Sequence, residues 1–137
     1  MAEVRFESNR AAVELRIAGE ARIRMEQATE LVRGEALRLM SGPKHGRRYR
    51  VPGTQVFYTA SAPGEAPAVP TGRLRGSVNR EVRVSANETI GVVGTELGYG
   101  RDLEFGKPPR LRPRPWLRPA FDAMRGRIAA KLEEKWF

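Results

Sequence analysis

The chain has 137 residues, no cysteine and one histidine, with 40% hydrophobic and 30% charged residues. That is the length of a single domain, 1–137, large enough to carry a core. Disulfides and thiolate metal sites are excluded, and the lone His45 argues against multi-histidine zinc sites and most histidine-dependent catalysis. No apolar run approaches the ~20 residues of a membrane span. Met1–Arg5 lacks the basic-then-apolar pattern of a signal peptide, so a reducing, cytoplasmic compartment and no membrane partner are expected.

The formal net charge is +9, from 25 Lys and Arg against 16 Asp and Glu. The excess is local. Residues 1–40 hold seven Arg and seven Glu, and residues 128–137 also balance. All of the excess lies in residues 41–127, with 16 basic and 7 acidic groups. Arginine dominates, 21 of the 25, and its planar fork suits carboxylate and phosphate. Such a bias fits either a solvated surface or a partner of negative charge, nucleic acid or acidic protein.

Residues 1–41 predict one long helix, with its apolar stripe on Val13, Ile17, Ala21, Ala28, Val32, Ala36 and Leu39. Arg24 interrupts the stripe, while Leu15, Ile23, Met25 and Leu31 lie off it. Counted over its proline-free stretch, 3–40, it would run ~57 Å at 1.5 Å per residue, longer than a compact domain of this size is wide. A kink near Gly19, or a second face against another subunit, would resolve that. Ser41-Gly42-Pro43 stops the helix.

Residues 42–76 predict a strand at 54–60 and a long Pro/Gly loop at 61–72, with Thr71 capping a short turn through Arg75. Loops of that length are commonly functional or disordered. Lacking backbone partners of its own, this one is an interface candidate. Residues 77–95 alternate as a hairpin about Ala86-Asn87-Glu88, and the unit 77–106 continues through Tyr99, Leu103 and Phe105, where an extended stretch would turn Leu103 and Phe105 one way and Glu104 the other. A Pro/Arg connector, 107–115, leads to a C-terminal helix, 116–137. The fold class is α+β: a long N-terminal helix, a small antiparallel sheet with a central hairpin, and a C-terminal helix packed on one face.

Catalytic motifs are absent: no Walker loop, no glycine-rich dinucleotide turn, no His-Glu-x-x-His and no Gly-x-Ser-x-Gly. Asp102 and Glu104 would share a face of an extended segment, which admits acid/base work. Pairing with Arg101 or Arg110 is the simpler expectation. Neither an enzyme nor a cofactor is expected. The basic clusters are 44–50, with Arg47, Arg48 and Arg50, and 107–118, with Arg110, Arg112 and Arg114; Arg73 and Arg75 lie between them. Tyr49 and Trp116 interleave, as in nucleic-acid binders, though no base-reading motif accompanies them.

Three segments, taken in order, resemble the neck or tail-completion proteins of long-tailed double-stranded DNA phages. Tyr58–Pro67 carries Ala-Pro-Gly-x-Ala-Pro and leads to Thr71-Gly72-Arg73-Leu74-Arg75. Val93–Gly106 carries Gly94, Tyr99, Leu103, Glu104, Phe105 and Gly106. Arg114–Phe121 carries Pro115, Trp116, Leu117, Arg118 and Pro119. The resemblance covers roughly residues 40–137. Gly100 stands where the family often has a bulkier residue or proline. The resemblance implies a non-enzymatic virion protein, assembled in the host cytoplasm. It implies a ring subunit, six copies by the symmetry of such tails, at the neck or tail top. Its partners would be other copies, the head-closure protein, a tail-terminator or tail-tube protein, and DNA passing unspecifically through the channel.

Read physically, Gly72, Gly94 and Gly106 sit where tight turns are expected. Leu103, Phe105, Trp116, Leu117 and Phe121 are expected in the core rather than at an interface. The competing reading, from charge alone, is a stand-alone basic nucleic-acid-binding protein.

Overall fold

A computed structural model describes residues 2–5, 7–68, 70 and 72–136. The architecture is α+β. The first helix, α1, is Arg10–Ser41, 32 residues or ~48 Å, and runs unbroken through Gly19 and Gly34. It starts nine residues later than the sequence suggests. Ser8 competes with helix by bonding locally: its hydroxyl accepts the Arg10 N–H at 3.4 Å. The described residues before it have no regular structure. At the other end, Gly42 N–H and Lys44 Nζ both donate to Leu39 O, at 3.4 and 2.8 Å. Burial lowers the Lys44 pKa below the usual lysine value.

The strands form two separate two-stranded antiparallel ribbons rather than one sheet. β1 (Arg48–Arg50) pairs with β2 (Phe57–Thr59), with Tyr49 opposite Tyr58. β1 was not legible, since three residues, Arg-Tyr-Arg, are too short a run to read as a strand, and the second strand is shorter than the expected 54–60. Next comes α2 (Arg73–Ser77), entered through Gly72 at φ +72. Thr71, the expected cap, lies outside the described residues. β3 (Asn79–Val84) and β4 (Thr89–Gly94) form the expected hairpin, closed by Ser85 N–H to Glu88 O at 2.8 Å.

The segment after the hairpin is not extended but a helix, α3 (Gly98–Phe105). Asp102 and Glu104 therefore do not share a face, because residues two apart on a helix point ~200° apart. The last helix, α4 (Arg118–Glu133), begins two residues after the expected 116 and has Pro119 in its first turn, where a missing N–H costs nothing.

The core joins Val32, Ala36 and Met40 of α1 to Leu74, Val78, Trp116 and Ala120. The β3–β4 ribbon lies along α1 so closely that a Cβ on Gly91 would sit 2.5 Å from Thr29 Cγ2 and 2.7 Å from Met25 Sδ. Arg80 Nε reaches Glu30 at 2.8 Å and Arg33 Nε reaches Val78 O at 3.0 Å, fixing the ribbon to the helix. Of the expected α1 stripe, Ala28, Val32 and Ala36 are buried, but Val13 and Ile17 are exposed. None of residues 10–23 is buried.

Arg24, the charge that interrupts the stripe, is itself buried, 3% exposed. Its guanidinium donates to Lys131 O (2.9 Å), Glu134 O (2.6 Å) and Lys135 O (2.6 Å), and pairs with Glu20 (3.0 Å). It lies over the Trp136 ring, 4.7 Å from the centroid. A cation thus satisfies the carbonyls at the C-terminus of α4, where the helix dipole is negative.

Candidate functional site

The second and third motif segments meet at one carboxylate. Glu104, in the last turn of α3, accepts the N–H groups of Trp116 (2.7 Å) and Leu117 (2.9 Å) on Oε2, and that of Arg118 (2.9 Å) on Oε1. These are donors at the start of α4, so Glu104 is its N-terminal cap, supplied from another element. The expected pairing of Glu104 with Arg101 or Arg110 does not form. Trp116 is buried and donates Nε1–H to Gly100 O at 2.9 Å.

A Cβ on Gly100 would collide with Thr95 Cγ2 and come within 3.2 Å of Leu74 Cδ1. The glycine at this position follows from packing in this chain. Gly106 leaves α3 at φ +76, and its missing Cβ would sit 2.9 Å from both Leu111 O and Pro113 Cδ. Gly72 also has positive φ. Gly94 does not: it simply ends β4 opposite Asn79, so no turn requires it.

Leu103 and Leu117 pack against the core, half-buried, as expected. Phe105 is 73% exposed and Phe121 41%, which corrects their assignment to the core. As the final residue of α3, Phe105 has nothing beyond it to pack against. Tyr99 is exposed beside a smaller cleft of about 370 Å³ that also meets Tyr58, Arg73, Leu74 and Arg114. Pro115 is half-buried, and exposed Arg118 pairs with Asp122 at 3.1 Å.

The long loop satisfies more of its own backbone than its composition suggests. Glu65 is the reason. Its carboxylate accepts the N–H of Ala62 (2.9 Å) and of His45 (3.0 Å) and meets His45 Nδ1 at 2.6 Å. Those bonds, the Ala62 N–H first, hold its pKa down to about 2. Gly64 N–H donates to Pro113 O at 3.0 Å, and Ser61 and Pro67 are buried.

Several of the basic candidates lie on the first ribbon and on the 107–114 turn beside it. Arg48 and Arg50 stand on one face of the first ribbon with their guanidinia 4.9 and 5.5 Å from the Phe57 ring centroid. The other face carries Tyr49 and Tyr58, centroids 6.1 Å apart. The 107–114 turn joins this ribbon's end: Lys107 and Leu111 form a bridge, and Arg114 Nε donates to Ser61 O at 3.2 Å. Among the described residues, Arg47, Arg48, Arg50, Arg75, Lys107, Arg110, Arg112 and Arg114 make no ion pair with a carboxylate. Several other cations are matched: Arg10 with Glu14, Arg22 with Glu26, Arg38 with Glu35, Arg83 with Glu81. The latter two contacts lower the Glu35 and Glu81 pKa values, chiefly through the arginine hydrogen bond.

On another side lies an open, largely apolar slot of about 560 Å³. Met25, Ala28 and Val32 of α1 form its floor. Gly91 and Val93 of β4 form one wall, and Leu117, Phe121 and Ile128 the other, with Phe105 and Arg101 at the rim. Sequence patterning does not predict this slot, because its walls come from segments far apart in the chain. Among the described residues no group of three or more His, Asp or Glu could hold a metal ion, and no helix is long and apolar enough to cross a membrane. Comparisons with protein-family models, with curated proteins and with solved structures find no match to this chain.

Proposed function

We propose that the chain is a structural, non-catalytic subunit of the neck of a long-tailed double-stranded DNA phage. Copies of it, six on the family's pattern, would form a ring joining the head-closure side to the tail around the DNA channel. The observation that carries this reading is a segregation of surfaces. Among the described residues, seven cations without carboxylate partners, Arg47, Arg48, Arg50, Lys107, Arg110, Arg112 and Arg114, lie at the first ribbon and in the 107–114 turn. The exposed apolar residues of α1, Val13, Leu15, Ile17 and Ile23, lie on a segment whose charges are balanced. One surface suits a polyanion or an acidic neighbour, and the other suits protein contact. The ordered motifs also agree with one another physically, since Glu104 of one caps the helix begun by the next.

Light scattering and electron microscopy of the purified protein test the ring directly. A closed oligomer is expected, and a monomer at tens of micromolar would refute it. DNA affinity should be weak, indifferent to sequence and steeply salt-dependent, because only phosphates are contacted. Replacing Arg47, Arg48 and Arg50 with Gln should lower the slope of log K against log salt by ~2–3. The arginines over the exposed Phe57 ring also favour a second reading, a stand-alone nucleic-acid-binding protein. A tight, site-specific complex of a monomer would select it.

A further inference from the structure

The slot between β4 and α4 has the features of an unfilled strand position. In the β3–β4 ribbon, the bond from Ser85 N–H to Glu88 O sets the alternation. The pairs Arg83–Ile90, Glu81–Val92 and Asn79–Gly94 face each other with hydrogen bonds, so the peptide groups of Thr89, Gly91 and Val93 point outward. Among the described residues no other element bonds to them. The equivalent outward group on β3, Arg80 N–H, is instead taken by Asn79 Oδ1 at 2.9 Å. The β4 edge is uncharged and proline-free, Thr-Ile-Gly-Val-Val-Gly, with none of the usual protections against pairing. It opens onto the apolar slot of about 560 Å³, the size of a ligand-binding cleft.

We propose that this slot receives residues 2–7 of a second copy of the chain as a strand added to β4. The sequence Ala2-Glu3-Val4-Arg5-Phe6-Glu7 alternates apolar and polar at period two and matches the six residues of β4 in length. Phe6 enters by identity alone, being outside the described residues. Val4 is 81% exposed and Ala2 is exposed, so neither of these apolar residues is used within the subunit. Added to β4, the apolar face turns toward Met25 and Ala28 and the polar face toward solvent. The segment carries two Glu against one Arg, and among the described residues Arg101 at the slot's rim makes no ion pair with a carboxylate. Residues 10–23 form an unburied arm of ~21 Å that carries the segment away from the slot of its own subunit, whose floor begins at Met25. A strand on one copy and a slot on the next is a heterologous contact, which closes into a ring when its rotation allows. The contact rests on the self-assembling reading above and names the surfaces it would use.

The absence of native cysteine makes the test direct. Arg5→Cys protein is mixed with Val92→Cys or Ile90→Cys protein, all three positions being on exposed faces, and oxidised. A disulfide between the two different single-cysteine chains is expected, and Val4→Asp should reduce its yield at least tenfold with circular dichroism unchanged. Assembly seen by light scattering with no cross-link at either position would overturn this contact and leave the ring standing. Protein that stays monomeric would overturn both. A cross-link formed only within one chain carrying both cysteines would also overturn the proposal, since the segment would then serve its own subunit.

Discussion

Glu104→Ala removes the acceptor of three N–H groups at the start of α4. The bonds to Trp116 and Leu117 are partly buried, and each contributes about 1 kcal/mol once solvent competition is allowed for. The exposed bond to Arg118 adds little on its own, but the negative charge at a helix N-terminus contributes a further ~0.5–1 kcal/mol. The expected loss is about 3 kcal/mol. With a urea slope of ~1.5 kcal/mol/M, the midpoint should fall by about 2 M. Glu104→Gln keeps one acceptor oxygen and loses the charge, so about 1 kcal/mol is expected. Fluorescence of the buried Trp116 in a Trp136→Phe background follows the transition. A Glu104→Ala protein as stable as the parent would show that the carboxylate does not hold α4.

Arg24→Met should cost about 2–4 kcal/mol, because it leaves three carbonyls in and just past the last turn of α4, and Glu20, without their partner. Hydrogen exchange should quicken first at residues 131–136. Gly100→Ala should destabilise by about 1–3 kcal/mol, since the new methyl meets Thr95 Cγ2 and Leu74 Cδ1 in a filled space, and the urea midpoint reports it. Glu65 is held near 2 in the folded chain and is an ordinary carboxylate when unfolded, so its contribution is complete above about pH 4.5. That contribution is lost as pH falls through 4.5 toward 2. Glu65→Gln should flatten the acid limb of the stability curve in that window, measured by thermal unfolding.

The β3–β4 hairpin and both long helices were legible because their patterning is regular and local. The α+β class followed from them. Four features were not legible, each for a physical reason. β1 is only three residues, too short a run to read as a strand, and its strand character comes from pairing with Phe57–Thr59. Residues 98–105 contain two glycines and look extended, yet they form α3, whose last turn supplies the cap of α4. The roles of Arg24 and Glu104 depend on partners 107–111 and 12–14 residues away, and no window of sequence relates them. Arg24 did leave a trace: a charge within an apolar stripe marks a buried ionic contact when its neighbours at 20 and 28 share its face. Glu65 left none, because an acid in a Pro/Gly loop is ordinary until His45 is brought beside it.

The two clamps on α4 also bear on assembly. α4 holds Gly126 and buries only Ala120 completely, so its position depends on Glu104 at one end and Arg24 at the other. Leu117 and Phe121, which line the slot beside β4, sit within the first turn that Glu104 orders. Weakening that cap without unfolding the chain should therefore blur one wall of the slot. In Glu104→Gln the cost to the isolated subunit is about 1 kcal/mol, yet each contact in a ring meets the same altered wall, so the effect is repeated at each interface. Assembly should shift to higher protein concentration by more than the single-subunit stability change alone implies, measured by light scattering across a dilution series. If assembly and urea midpoint move in proportion, or assembly does not move at all, α4 is only a scaffold and its first turn does not shape the contact between copies.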